Sequence, residues 1–210
     1  MESPDMSPIF LAPRGRLVTV FGGGRVALRK CRHFEGFRIR VVAERILPEL
    51  RALADEAFED EVSESNVRRY AEGSSIVVAA TSDHALNDMI RDTSMALGMM
   101  TNSAHGGGDV LIPSTLYRDG WTVCVSSEGN APAFPPYVIA RIDELLDPSY
   151  DGMLELLTGL RREIRDRIPT QPARAEFLAG VLDDRDVWAL LREGDADGAR
   201  RLAMSRGGLE

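Results

Sequence analysis

Three consecutive glycines, Gly22-Gly23-Gly24, stand directly after the β-rich apolar run Leu17-Val18-Thr19-Val20-Phe21 and before a helix-forming stretch from Val26 to Phe34. Continued through Arg25-Val26-Ala27, they fit G-x-G-x-x-G/A, a pattern whose positions have separate physical duties. The first glycine permits a tight turn. The second lets backbone N–H groups approach phosphate oxygens, and the last small residue lets the helix lie close to the strand. An anion is favoured there because the first helical N–H groups have no intrahelical partner and the helix dipole is positive at that end. Glu44 follows a second apolar run, Val41-Val42-Ala43, at the distance where a carboxylate can accept hydrogen bonds from ribose hydroxyls.

Strand, glycine turn, helix and acid together predict a Rossmann-type dinucleotide site. A carboxylate at Glu44 repels a 2′-phosphate and points to NAD. Arg45 beside it could pair with that phosphate, which leaves NADP as the alternative.

The elements that must position this site alternate over the first hundred residues. Arg38 to Ala43 reads as a strand, Pro48 to Phe58 as helix-like, and Ser75 to Ala80 as a strand buried on both faces. Asp83 to Leu97 reads as a helix capped by Ser82 or Asp83, and Met99 to Ser103 as a further strand. Arg68-Arg69-Tyr70 has no clear assignment. This order implies a parallel α/β sheet. After the glycine loop Gly106 to Gly108, two extended segments, Val110 to Pro113 and Trp121 to Val125, flank the Asp119-Gly120 turn signal. Pro132, Pro135 and Pro136 mark the exit, and Tyr137 to Leu146 returns to helix. From Asp147 the pattern is helical only: Met153, Leu156, Leu157, Leu160 and Ile164 form one stripe, Pro169 and Pro172 break it, and Phe177 to Leu182 and Val187 to Leu191 form two more.

The chain has 210 residues, 44% of them hydrophobic, and a formal net charge of −8. An acidic total argues against nucleic acid as a partner, since that needs a broad basic face. Nearly all the basic residues are arginine, Lys30 being the exception. Cys31 and Cys124 are too few and too far apart for a disulfide framework or a zinc site, and no spacing of His33, His84 and His105 suggests a metal. No apolar run approaches a membrane span, and Met1 to Phe10 lacks the form of a secretory leader. The reading is a cytoplasmic protein without a membrane or metal partner.

Several blocks, in order, resemble the N-terminal module of siroheme synthases, the precorrin-2 dehydrogenase and sirohydrochlorin ferrochelatase family. They are Pro8-Ile9-Phe10-Leu11, the glycine turn with Arg29-Lys30, and Ala79-Ala80-Thr81-Ser82-Asp83 with Ala85-Leu86-Asn87. Asn102, Ile112-Pro113-Ser114 and Val125 to Pro132 follow, and Leu190 to Asp195 is similar to the tail of shorter members. The resemblance implies an NAD-binding Rossmann domain over 1–112, a small dimerisation segment over 113–146, and a helical C-terminal domain over 147–210. It implies a homodimer that oxidises precorrin-2, a polycarboxylate tetrapyrrole, to sirohydrochlorin with NAD. A bifunctional enzyme that also inserts a metal, and a non-catalytic NAD-sensing module, are the alternatives.

By the same resemblance Arg25 and Val26 contact the cofactor, Glu44 and Arg45 fill its second segment, and Thr81 lines its cleft. The family's N-V-V-D element ends in an Asp, proposed as a base; here the corresponding run is Asn102-Ser103-Ala104-His105. His105 can serve as the base, because imidazole titrates near neutrality, or it is a plain loop residue. Asp109 can replace the carboxylate or merely solvate the loop. Ser127 matches a family serine near the tetrapyrrole pocket and is equally suited to a turn before Gly129. Arg25, Arg29 or Arg118 can pair with substrate carboxylates.

Overall fold

The computed structural model describes residues 6–209; the first five residues of the stretch read as lacking a leader lie outside them. Two compact units result. One runs to Pro113 and includes Ser126–Ala131; the other comprises Ser114–Val125 and continues from Pro132.

The first unit is a five-stranded parallel sheet. Its strands are β1 (Leu17–Phe21), β2 (Arg38–Ala43), β3 (Glu56–Glu59), β4 (Ser74–Ala79) and β5 (Met100–Ser103), in the order β3-β2-β1-β4-β5. Helices α1 (Arg25–His33), α2 (Pro48–Leu53), α3 (Glu64–Ala71) and α4 (His84–Ala96) connect them. Side chains alternate across the central strand. Val18 and Val20 join Ala27, Cys31 and Leu50 on the α1–α2 face, and Phe21 joins Val67, Tyr70 and Ile90 on the α3–α4 face. Buried Thr19 is satisfied by the Tyr70 carbonyl at 3.2 Å and the Ser74 hydroxyl at 2.7 Å. The chain winds outward from β1 to β2 and β3, then returns to build β4 and β5 on the other side. That reversal opens a crevice at the carboxyl ends of β1 and β4.

Three expectations change, and one unassigned stretch finds its place. The helix expected over Pro48–Phe58 stops at Leu53, and Phe58 lies in β3. Pairing with β2 decides this: Asp55 accepts from the Ile39 N–H at 2.7 Å, and Glu56 receives both Arg38 and Arg40. The unassigned Arg68-Arg69-Tyr70 falls in α3, capped by Ser63. Val110 to Pro113 forms no strand; pairing begins at Ser114, where β6 (Ser114–Arg118) meets β7 (Trp121–Val125) through the expected Asp119-Gly120 turn. Helix α5 (Phe134–Leu145) starts before Tyr137, because Pro135 and Pro136 sit in its first turn, where no N–H is needed.

Helices α6 (Ser149–Glu163), α7 (Gln171–Asp183), α8 (Arg185–Arg192) and α9 (Ala196–Arg206) complete the second unit around Leu160, Ile164, Val187 and Ala199. Asp184 and Asp195 cap α8 and α9, and Pro172 opens α7 rather than only ending its predecessor.

Two tests follow from this packing. Burial pushes the Cys31 thiol up to about 12, whereas Cys124 is exposed. At about pH 8 a thiol reagent should label one cysteine per native chain and two after denaturation; two fast native thiols would contradict the seating of α1. Arg200 forks onto Glu163, with contacts of 2.9 and 2.5 Å, and this holds the Glu163 carboxyl below its ordinary value of 4.5. A depressed carboxyl contributes stability above its unfolded-state value, and the contribution vanishes as pH falls through the folded one. Glu163→Gln should therefore lower the Tm slightly at neutral pH and leave it unchanged in strong acid.

Candidate active site

The glycine turn at the end of β1 is enclosed by the protein's own backbone on two sides. Gly22 has φ +132°, and a Cβ there would stand 2.3 Å from the Ala80 carbonyl oxygen. Its N–H donates to the Val42 carbonyl at 2.9 Å. A Cβ on Gly23 would stand 1.7 Å from the Arg45 carbonyl oxygen, and the Gly23 carbonyl accepts from Leu47 N–H at 3.0 Å. Gly22 and Gly23 are thus demanded by the chain itself.

Gly24 differs: a Cβ there would meet nothing within 4 Å. It is the N-cap of α1, with no side-chain cap and no acidic residue in the first turn. The positive end of α1 is therefore left open beside a residue with no side chain. That is the cradle a pyrophosphate requires. Arg25 and Val26 are exposed immediately after it, and Ala27 is buried against the sheet. Glu44 and Arg45 are exposed just beyond β2, on one side of the crevice.

On the other side, beyond β4, Thr81 belongs to a network centred on fully buried Asn87. The Asn87 oxygen accepts from the Thr81 N–H and hydroxyl, both at 2.9 Å. The Asn87 amide nitrogen reaches the Thr81 carbonyl at 3.1 Å and His105 Nδ1 at 2.8 Å. The His105 ring stacks on His84, with centroids 3.4 Å apart. Thr81 and His105, distant in sequence, are thereby joined, and His105 stands at the carboxyl end of β5 with its ring exposed.

Asp109 is not brought to that point. Its carboxylate accepts from the Thr101 N–H at 2.5 Å, and Val110 N–H donates to the Thr101 carbonyl at 3.1 Å, so it clamps the loop back along the β5 edge. Ser127 bridges its own turn, donating to the Ala131 carbonyl and accepting from the Ala131 N–H. Arg118 is engaged by Asp143 at 2.7 Å and by the Leu146 carbonyl, which removes it from the pool of free guanidinium groups. Among the described residues no group of His, Cys, Asp and Glu could hold a metal ion.

Sequence reasoning passed over Asn87 and His84 as site residues and did not connect Lys30 with Asn102. Lys30 Nζ donates to Asn102 Oδ1 at 2.5 Å, and Asn102 Nδ2 donates to the Val110 carbonyl at 2.8 Å. Burial and then Arg29 hold the Lys30 amine below its ordinary range. The available signal was the Ala85-Leu86-Asn87 block, one helical turn past the Asp83 cap.

The glycines separate experimentally. Gly23→Ala should destabilise the protein severely, because two backbones must move apart. Gly24→Ala should cost about 1 kcal/mol or less in stability yet weaken dinucleotide binding at least tenfold. Equal melting temperatures with equal affinities, measured by thermal melts and titration calorimetry, would contradict both assignments.

A family model described as NAD(P)-binding matches residues 9–114, and one for the sirohaem synthase dimerisation region matches residues 149–206. The precorrin-2 dehydrogenase of Methanosarcina barkeri is 30% identical over 197 residues, covering 89% of this chain and 87% of that protein. The siroheme synthase of Pseudomonas paraeruginosa is 29% identical over 202 residues, 94% of this chain but 43% of its own length, so this chain spans less than half of that relative. A solved structure, SirC, precorrin-2 dehydrogenase, superposes with a TM-score of 0.72 at 22% identity over 95% of this chain and all of its own, a likeness of fold. With the NAD(P)-binding match over half of the chain, and a relative at 30% identity over nearly its full length, this chain belongs to the precorrin-2 dehydrogenase and siroheme synthase family.

Proposed function

We propose that this chain oxidises precorrin-2 to sirohydrochlorin with NAD as acceptor. The observation that carries the reading is the crevice itself: an open helix terminus at Gly24, a carboxylate at Glu44 on one side, and Thr81 and His105 on the other. Bound NAD⁺ supplies the hydride acceptor, and the substrate loses one hydride to it and one proton to water.

The chain's own residues orient the partners. Amides at the start of α1, with Gly22, Gly23, Gly24, Arg25 and Val26 around them, would hold the pyrophosphate, and Glu44 would accept from the ribose hydroxyls beside Arg45. Thr81 lines the opposite wall. His105, just beyond β5, would face the crevice from the side opposite Glu44. Asp109 and Ser127 act by holding their loops. Arg25 and Arg29, exposed on α1, are suited to substrate carboxylates.

The division into 1–112, 113–146 and 147–210 belongs to the same proposal, as does a cytoplasmic homodimer; the matched dimerisation region, 149–206, falls in the third of these stretches, so 113–146 is proposed here as a further contact. No helix among the described residues is long and apolar enough to cross a membrane. Phe134, Tyr137 and Leu145 are exposed apolar residues of 113–146 that share one face of α5. A second copy is the partner that would cover them.

Purified protein given precorrin-2 and NAD⁺ should yield sirohydrochlorin and NADH, with NADP⁺ a poorer acceptor, and Glu44→Ala should narrow that preference. Intact NAD binding without turnover would favour the sensing module instead. Tyr137→Glu with Leu145→Glu should convert a dimer to monomers in sedimentation; a native monomer would overturn the pairing.

A further inference from the structure

We propose that Asn87 is a positioning residue that holds His105 in the tautomer bearing its proton on Nε2, so that His105 meets the substrate as a hydrogen-bond donor and not as a base. The substrate group is of the carboxylate class; this last step rests on the dehydrogenase reading, whereas the tautomer rests on the geometry alone.

Thr81 fixes the orientation of the Asn87 amide. Its backbone N–H can only donate, so the Asn87 atom facing it at 2.9 Å must be the oxygen. The Thr81 carbonyl can only accept, and the Asn87 atom facing it at 3.1 Å must be the amide nitrogen. Both ends of the amide are therefore fixed by backbone groups, and the usual ambiguity of an asparagine flip is removed. Full burial of Asn87 at the start of α4 excludes water as a competitor for these bonds.

The same amide nitrogen lies 2.8 Å from His105 Nδ1. Having only hydrogens to offer, it makes Nδ1 the acceptor. A neutral imidazole carries one proton, which then resides on Nε2. His84, stacked on the ring at 3.4 Å between centroids, restrains the rotation that would break this arrangement. The nitrogen across the ring from Asn87 therefore presents N–H, which suits an anionic oxygen. To take a proton from substrate, the ring would need a free lone pair on that side.

The tautomer is read directly from long-range ¹H–¹⁵N spectra of the ¹⁵N-labelled full chain with its histidine rings neutral, His105 being assigned by its loss in His105→Gln. The expected pattern is a pyridine-type Nδ1 and a pyrrole-type Nε2. Asn87→Asp keeps an acceptor for the Thr81 N–H but turns an acceptor toward His105, and should invert the pattern. A pyrrole-type Nδ1 in the native chain overturns the proposal. So does an unchanged pattern in folded Asn87→Asp; if that variant does not fold, the native spectrum decides. In the precorrin-2 assay, His105→Gln, which retains an N–H donor, should keep kcat/KM within about threefold, while His105→Ala should lose about tenfold or more, mainly in KM. Equal losses in both variants overturn the donor role. Absence of turnover in the native protein would count against the dehydrogenase reading and leave the spectral result to stand by itself.

Discussion

The structure depends on one steric constraint: three backbones meet at Gly22 and Gly23 with no room for a Cβ. The end of β1, the carbonyl of Ala80 beyond β4 and the Arg45–Leu47 segment beyond β2 all close on two residues. Such contact is possible only because glycine lacks a side chain and tolerates the positive φ that Gly22 adopts. Its consequence is spatial. The same contacts that hold β2, β1 and β4 together at their carboxyl ends bring Glu44, Gly24 and Thr81 to one rim. The crevice and the strand order share a cause.

Around that rim the polar groups are held by the backbone more than by each other. Asn87 reads the two faces of Thr81 and passes that orientation to His105. Asp109 and Lys30, the second through Asn102, secure the β5 end and its following segment at Thr101 and Val110. A loop containing Gly106 to Gly108 would be expected to sample many conformations, yet its ends are tied on both sides. This is how a rigid scaffold holds a connecting segment in one place. The half-buried lysine gives up part of its hydration to make the tie, which is why its amine is held below the ordinary range.

The second unit follows different rules. Its helices are ended and begun by local devices: Asp184 and Asp195 as caps, prolines in first turns, and Gly194 at φ +80° between α8 and α9. Its core is a set of stripes from four helices, whereas the first unit assembles its core from residues far apart in sequence.

Much of this was legible in the residues alone. Apolar runs bounded by glycine located β1, β2 and β4, the caps located α4, and the glycine turn with Glu44 located the crevice, because each signal is local and has a local physical cause. What only tertiary structure decided was pairing. Phe58 became strand because β2 offered unpaired backbone and Arg38 and Arg40 offered charge to Glu56. Asp109 became a clamp because the Thr101 N–H on the edge of β5 required an acceptor. Arg118 became an internal partner of Asp143, twenty-five positions away. The glycine turn was identifiable from spacing, but which of its glycines are enclosed by neighbouring backbone and which is left open depended on backbones that sequence order keeps apart. His105 could be named from its place after Asn102. The identity of the atom it presents depended on Asn87, since a hydrogen-bond partner eighteen residues away leaves no trace in local pattern.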